Sequence, residues 1–240
     1  EQKKFPKGAL EAAQSQARDV ARRNLLHARL SLAGVTYETA QTYEPGSAEN
    51  RKQLRAAAEK YNALFKNYQS YLVAYYARIG EARCYKELGE MKQAIDALVE
   101  PLEQADESEP FREMKSRATL LAVQVQIGAK NYADAAVKGE AWLKTARDAD
   151  RLSEEGLAIK YFTGLAGLET ARELKPSDAK RTETLASARR LLSEAADHSG
   201  QYQAAAKSKL EDPLLGVRDA SGKTLAEPTN FADRKSTRLN

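Results

Sequence analysis

Two histidines, one cysteine and a few clustered acids are the residues of this sequence whose types could do chemistry. His27 has Arg23 and Ser31 one helical turn to either side, and the other histidine, His198, lies far along the chain. A metal centre or a general base needs convergent partners, so His27 reads as part of a solvated polar stripe. His198 precedes "SGQ" and is expected at a helix C-terminus, where positive charge is favourable. Cys84 lies in a helix-forming stretch without the neighbouring base or helix N-terminus that a reactive thiolate wants. It reads as a small buried hydrophobe. As the single cysteine it excludes an intramolecular disulfide and a multi-cysteine metal site. Paired acids in "ADESE" and "LSEEG" could serve hydrolysis. Their places, a loop and a helix start, are explained by solvation and the helix dipole. A glycine-rich phosphate loop and a serine nucleophile elbow are both missing. The sequence therefore reads as non-enzymatic, with no cofactor, catalytic or metal residues.

The elements that would have to position any site come from composition and period. Of the 240 residues 42% are hydrophobic and 30% charged, enough for a core with a heavily solvated exterior. The formal charge is +4, and Asp233, Arg234, Lys235 and Arg238 near the end contribute half of it. Residues 233–240, "DRKSTRLN", read as translated sequencing adapter and are expected to lie outside the fold; with Glu at position 1, the chain reads as a fragment of a longer protein. A weak, dispersed positive balance does not predict nucleic-acid binding, which needs a clustered basic face. No apolar run is long enough to span a bilayer.

Good helix formers dominate, and runs of alternating β-branched residues are missing, so the expected fold is all-α, with about nine helices and no sheet. The spacing predicts helices over 8–43, 49–68, 71–88, 90–104, 110–128, 131–146, 152–174, 179–197 and 200–210. In the first, Leu10, Ala13, Ala17, Val20 and Ala21 begin an apolar stripe that Leu26, Leu30, Ala33 and Tyr37 continue. "EPGSAE" (44–49) is a stop, with Ser47 as the next cap and Asn50 at the capping-box position. Ser70 is expected to cap the third helix, and Ser177 or Asp178 the helix after "KPSDA". Pro101 should kink or end its helix. Gly164 and Gly167 mark close helix packing. The pairs 8–68, 71–105, 110–146 and 152–197 plus the helix 200–210 make one array over 1–211. Residues 212–232 form a linker or an incomplete element.

Short connections between amphipathic helices make antiparallel neighbours, and recurring pairs stack into a solenoid. The clearest unit is "ARIGEARCYKELGEMKQAIDAL", Ala77 to Leu98. Ala82 and Ala94 let two backbones approach, Tyr85 fills the gap above them, and Gly89 takes the positive φ that ends a helix. This unit resembles the tetratricopeptide repeat family. The family's small-then-aromatic pair matches Ala82 and Tyr85, its turn glycine matches Gly89, and its large-then-alanine pair matches Met91 and Ala94. A second copy places Tyr132 and Ala135 at the Met91 and Ala94 positions 41 residues later, and Ala58 stands 36 residues before Ala94. Both spacings exceed the 34-residue repeat, as in divergent members. The segment 56–95 is similar to bacterial envelope members of the outer-membrane assembly lipoprotein and cell-division coordinator type.

The resemblance implies a right-handed α-solenoid whose concave face, lined by the first helix of each pair, holds a peptide or partner helix. In its register Tyr76, Ile79, Arg83, Lys86, Glu87, Arg117, Leu120 and Gln124 face that groove. Tyr76 and Ile79 would anchor, while Arg83 and Lys86 steer acidic or backbone groups. The paired Lys and Asn with which some members clamp a C-terminal carboxylate are replaced by Ile79 and Arg83, so that clamp is not expected. Six of eleven tyrosines (Tyr61, Tyr68, Tyr71, Tyr75, Tyr76, Tyr85) lie within 25 residues. Aromatics supply large buried area between helices, and tyrosine also anchors partners. The expected partner is a protein or peptide, with self-association through the array ends open and a lean toward a bacterial envelope. The alternatives are an architectural or self-assembling spacer, or the regulatory array of an enzyme.

Overall fold

The computed structural model describes residues 7–105 and 108–216, with side chains at Ala12 and from Gln14 onward. Among these residues all regular structure is helical, in ten helices: α1 Lys7–Gln41, α2 Ala48–Asn67, α3 Leu72–Leu88, α4 Met91–Glu103, α5 Glu109–Gly128, α6 Tyr132–Thr145, α7 Asp148–Leu152, α8 Glu154–Glu173, α9 Ala179–Asp197 and α10 Gln203–Leu210. Residues 217–232 and 233–240, read above as linker and adapter, lie outside the described residues, as do Asp106 and Glu107 of the acidic loop.

Local chemistry sets the helix ends. Gly46, at φ 79°, turns the chain after α1, and Ser47 Oγ accepts the Asn50 amide at 3.2 Å to start α2. Gly89, also at φ 79°, closes α3 while its amide donates to the Lys86 carbonyl. An L side chain would be strained at that φ. Asp178, not Ser177, caps α9 by accepting from the Lys180 amide at 2.9 Å. Ser70 does not cap α3: Tyr71 stands at that position without a side-chain capping bond. Pro101 falls in the last turn of α4 and is buried there, so α4 ends two residues later without a break. The five-residue α7 has no counterpart in the sequence reading, because one and a half turns of "DADRL" carry no measurable period.

Except for α6, which packs on α8 rather than on the short α7, each helix packs on its chain neighbour, and α1 also touches α3, α3 touches α5, and α5 touches α8. The small α7 sits against α5 and α8. The largest apolar cluster joins α3, α4 and α5 through Ile79, Ala82, Ala94, Leu98, Met114, Leu121 and Val125, with Tyr75, Tyr85 and Met91 packed on it. A second joins α1, α2 and α3 through Leu26, Ala33, Ala58, Tyr61, Leu64, Ala77 and Cys84. Ala82, Ala94 and Ala135 are fully buried, Ala58 nearly so, and Tyr132 half-buried. On α8, a Cβ at Gly164 would stand 2.8 Å from Leu192 Cγ of α9, and one at Gly167 would stand 3.2 Å from Ala188 Cβ. The α8–α9 approach therefore depends on these two glycines.

The apolar stripe of α1 divides. Leu26, Leu30, Ala33, Tyr37 and Ala40 pack inward, whereas Ala17, Val20 and Ala21 are exposed, and Leu10 and Ala13 lie outside the described side chains. From Gln14 to Leu25 every side chain of α1 is exposed. Beyond α10, Leu215 is buried, Arg189 donates to its carbonyl, and Asp212 pairs with Arg172. Residues 212–216 thus belong to the packed body. No helix of the described residues is long and apolar enough to cross a membrane.

Candidate functional site

The candidate groove residues come from α3 and α5, which lie side by side, with α1 on the other flank of α3. Helical spacing puts Tyr76, Arg83, Lys86 and Glu87 along one side of α3, and Glu113, Arg117, Leu120 and Gln124 along one side of α5. Arg83, Glu87 and Arg117 are exposed; Tyr76, Lys86, Leu120 and Gln124 are half-buried. Ile79 corrects the sequence reading. It is 6% exposed and sits in the α3–α5 cluster with Ala82, Met114 and Leu121, so it anchors α5 instead of a ligand.

Polar contacts cross the face at each helix boundary. Between α1 and α3, the Tyr37 hydroxyl and Gln41 Nε2 both donate to the Glu87 carboxylate, the latter at 2.6 Å, and the Arg83 guanidinium lies 5.6 Å from the Tyr37 ring centroid. Between α3 and α5, Lys86 Nζ donates to Gln124 Oε1 at 3.0 Å. Arg117 of α5 spans three helices: it lies 5.8 Å from the Tyr76 ring centroid, holds Glu113 at 2.7 Å and reaches Glu155 of α8 at 3.2 Å. The face is thus a strip of aromatic rings and guanidinium groups stapled by carboxylates.

Burial tunes its titration. It lowers the Lys86 pKa, against which the Glu87 charge acts. Burial, followed by the nearby Glu113 charge, raises the Tyr76 phenol. Tyr37 is raised by burial and by its bond to Glu87. All these shifts favour the neutral form, so the phenols on the strip act as donors and apolar bodies.

At the start of α3 the strip opens into a groove of about 380 Å³ against α1, lined by Asp19, Arg22, Arg23, Leu26, His27, Leu30, Tyr71, Leu72, Val73 and Tyr76. Sequence reasoning missed the α1 contribution altogether. The signal was present in Leu26 and Leu30, which share a helical stripe with Arg22 and Arg23 on its edge.

The residues weighed for chemistry lie apart. His27 is exposed at the groove rim, and His198 follows α9, where its Nδ1 contacts the Glu194 carbonyl at 2.8 Å. Cys84 is fully buried between α1, α2 and α3, and burial, then the Glu87 charge, pushes its thiol up to about 12. Among the described residues no group of three or more His, Cys, Asp or Glu side chains could hold a metal ion. No protein-family model matches the chain, and no curated protein or solved structure does so.

Proposed function

We propose that this chain is a non-catalytic protein-binding module, a tetratricopeptide-like right-handed solenoid that holds a peptide or partner helix against the face of α1, α3 and α5. The observation that supports it most is the strip itself. Tyr37, Tyr76, Arg83 and Arg117 present aromatic bodies and guanidinium groups over one continuous surface, the residue types enriched at binding hot spots. The helix neighbours support the architecture, since α1, α3, α5 and α8 each touch the next as well as the helix between. Such stacking gives a repeat array its extended binding surface.

Selection of random twelve-residue peptides displayed on phage tests this reading. Selected peptides are expected to lose at least ten-fold in affinity for the Tyr76→Ala, Arg83→Glu double variant, measured at a temperature where its helical circular dichroism equals that of wild type, because Tyr76 packs on the core and its truncation lowers the melting temperature. Peptides that bind wild type and variant alike would place the binding surface elsewhere.

A second reading has its own support. Lys86–Gln124, Tyr37–Glu87 and Arg117–Glu155 engage candidate residues in holding helix to helix. That suits a spacer that transmits shape and carries no ligand. Under it the selection enriches nothing, and Glu87→Ala or Gln124→Ala lowers stability instead.

A further inference from the structure

The groove between α1 and α3 divides sharply into floor and rim. Its floor is Leu26, Leu30, Leu72, Val73 and Tyr76, with Leu26 and Val73 buried and the others half-buried. The polar groups stand on the rim: Arg22, Arg23, His27 and a single acid, Asp19. Arg18 and Arg29 flank them on the same helix, so four guanidinium groups accompany one carboxylate between residues 18 and 29. Two of the four are held by the turn between α2 and α3. Arg22 donates to the Tyr71 hydroxyl at 2.8 Å and lies 6.0 Å from its ring centroid, while Arg29 donates to the Tyr68 hydroxyl. Arg23 is exposed and makes no ion pair or side-chain hydrogen bond among the described residues. At the far end, Arg117 over Tyr76 is already matched by Glu113 and Glu155. The uncompensated charge therefore sits on the α1 edge and is positive.

A small polar ligand needs convergent donors on the pocket floor, and this floor has none besides the Tyr76 phenol. A single strand of nucleic acid needs a succession of open aromatic faces along a basic groove, whereas this floor is aliphatic except for Tyr76 and the Tyr71 ring on the rim already carries Arg22. An apolar trench edged by arginines is complementary to a peptide with one large apolar side chain and carboxylates beside it. Resting on the peptide-binding reading above, we propose that this groove takes an acidic, extended segment of a partner protein, its apolar anchor seated on Leu26, Leu30, Val73 and Tyr76 and its carboxylates meeting Arg22 and Arg23. The rim charges then govern association rate and salt dependence, and the anchor governs residence time.

The test uses three series of fluorescein-labelled twelve-residue peptides read by anisotropy. Each has a central Leu, Phe or Tyr flanked by Glu, by Lys or by Ser, and each is paired with a peptide carrying Ala at the centre. The Glu-flanked series is expected to bind at least ten-fold tighter than the Lys-flanked one, to weaken between 50 and 300 mM salt (the range over which Debye screening tightens), and to lose at least ten-fold when the centre is Ala. Arg23→Glu should cost the Glu-flanked series about ten-fold while leaving the melting curve unchanged; Tyr76→Ala should weaken it as well. Preference for Lys-flanked peptides, with loss on Tyr76→Ala, would overturn the acidic-partner assignment and leave the peptide-binding face standing. Indifference of the Glu-flanked series to Arg23→Glu would also overturn the assignment. Binding by none of the three series would overturn it too, and the phage selection would then decide whether the face binds peptides at all.

Discussion

Thr163 of α8 occupies the space in which a side chain on Gly139 of α6 would stand. A Cβ added to Gly139 would lie 2.9 Å from both Thr163 Cβ and Cγ2, and closer still to Oγ1. The two helices approach until backbone meets side chain, and Thr163 is buried there with its hydroxyl lacking a hydrogen-bond partner. Gly139→Ala is therefore expected to destabilise by about 1–3 kcal/mol through overpacking, although alanine is the better helix former by about 1 kcal/mol. Thr163→Ala in the same chain removes Oγ1 and Cγ2 but keeps Cβ, so it should restore part of the loss. Denaturant titration of wild type, both single variants and the double variant reads this coupling. Strictly additive effects would show that the two residues do not compete for one space.

Arg78 and Glu81 make the second sharp case. Glu81 is 2% exposed, receives Arg78 Nη1 at 2.8 Å, and receives Asn62 Nδ2 at 2.8 Å on its other oxygen. Arg78 also holds Glu100 through Nη2 at 2.9 Å and lies 4.8 Å from the Phe65 ring centroid. One guanidinium thereby ties α2, α3 and α4 together. Arg78→Met leaves a buried carboxylate without its charge partner and should cost about 3–5 kcal/mol. Adding Glu81→Leu removes the stranded charge and should recover most of that cost. A double variant as unstable as Arg78→Met alone would mean that packing of the arginine, and not the charge of Glu81, sets the loss.

What could be read from the sequence follows the range of the interaction. Gly89, Ser47 and Asp178 act within four residues, and their roles as stops and caps were legible for that reason. Asn50 was legible only in part. Its amide is capped as expected, but its side chain also donates to the Ala40 carbonyl at 2.9 Å and accepts the Gly46 amide, clamping the end of α1 to the start of α2. The face of α3 that α5 covers is a tertiary fact, and one helical register placed Ile79 wrongly on the open side. The Lys86–Gln124 and Tyr37–Glu87 bonds join residues 38 and 50 positions apart, which no local period can announce. The groove escaped for the same reason, since its two walls are 45 residues apart at Leu26 and Tyr71.

The buried thiol gives a probe of opening. With Cys84 pushed up to about 12 by burial and by the Glu87 charge, the native protein holds almost no thiolate at pH 8. Thiolate is the nucleophile in disulfide exchange, so reaction with an aromatic disulfide reagent requires the α1–α2–α3 cluster to open. The expected result is reaction over minutes to hours in buffer and within seconds in denaturing urea. The native rate should rise with Leu26→Ala, which opens that cluster. Immediate stoichiometric reaction at pH 8 without denaturant would show that Cys84 is reachable in the folded state.

Lys160 and Glu194 predict how stability responds to acid. Burial alone would raise the Glu194 carboxyl, but Lys160 at 3.0 Å and Arg190 at 2.8 Å outweigh it and hold the group below its usual value of 4.5. A depressed folded pKa makes the fold bind the proton less readily than the unfolded chain. The resulting stabilisation is fully present above pH 4.5 and is lost as pH falls through the folded value. Glu194 is itself 37% exposed, so solvent screening limits its own share. Lys160 is almost fully buried, and neutralising its partner strands an ammonium. Together these set an expected cost for Glu194→Gln of about 1–2 kcal/mol at pH 7. In melting curves from pH 7 down to pH 3, the gap between wild type and variant should hold steady to about pH 5 and then close, because acid makes the wild-type carboxyl neutral like the amide. Lys160→Met, Glu194→Gln, which removes both charges, should show a smaller pH-dependent gap relative to Lys160→Met alone, the remainder coming from Arg190. A gap for the single variant that is unchanged at pH 3 would assign the loss to shape and not to the ion pair.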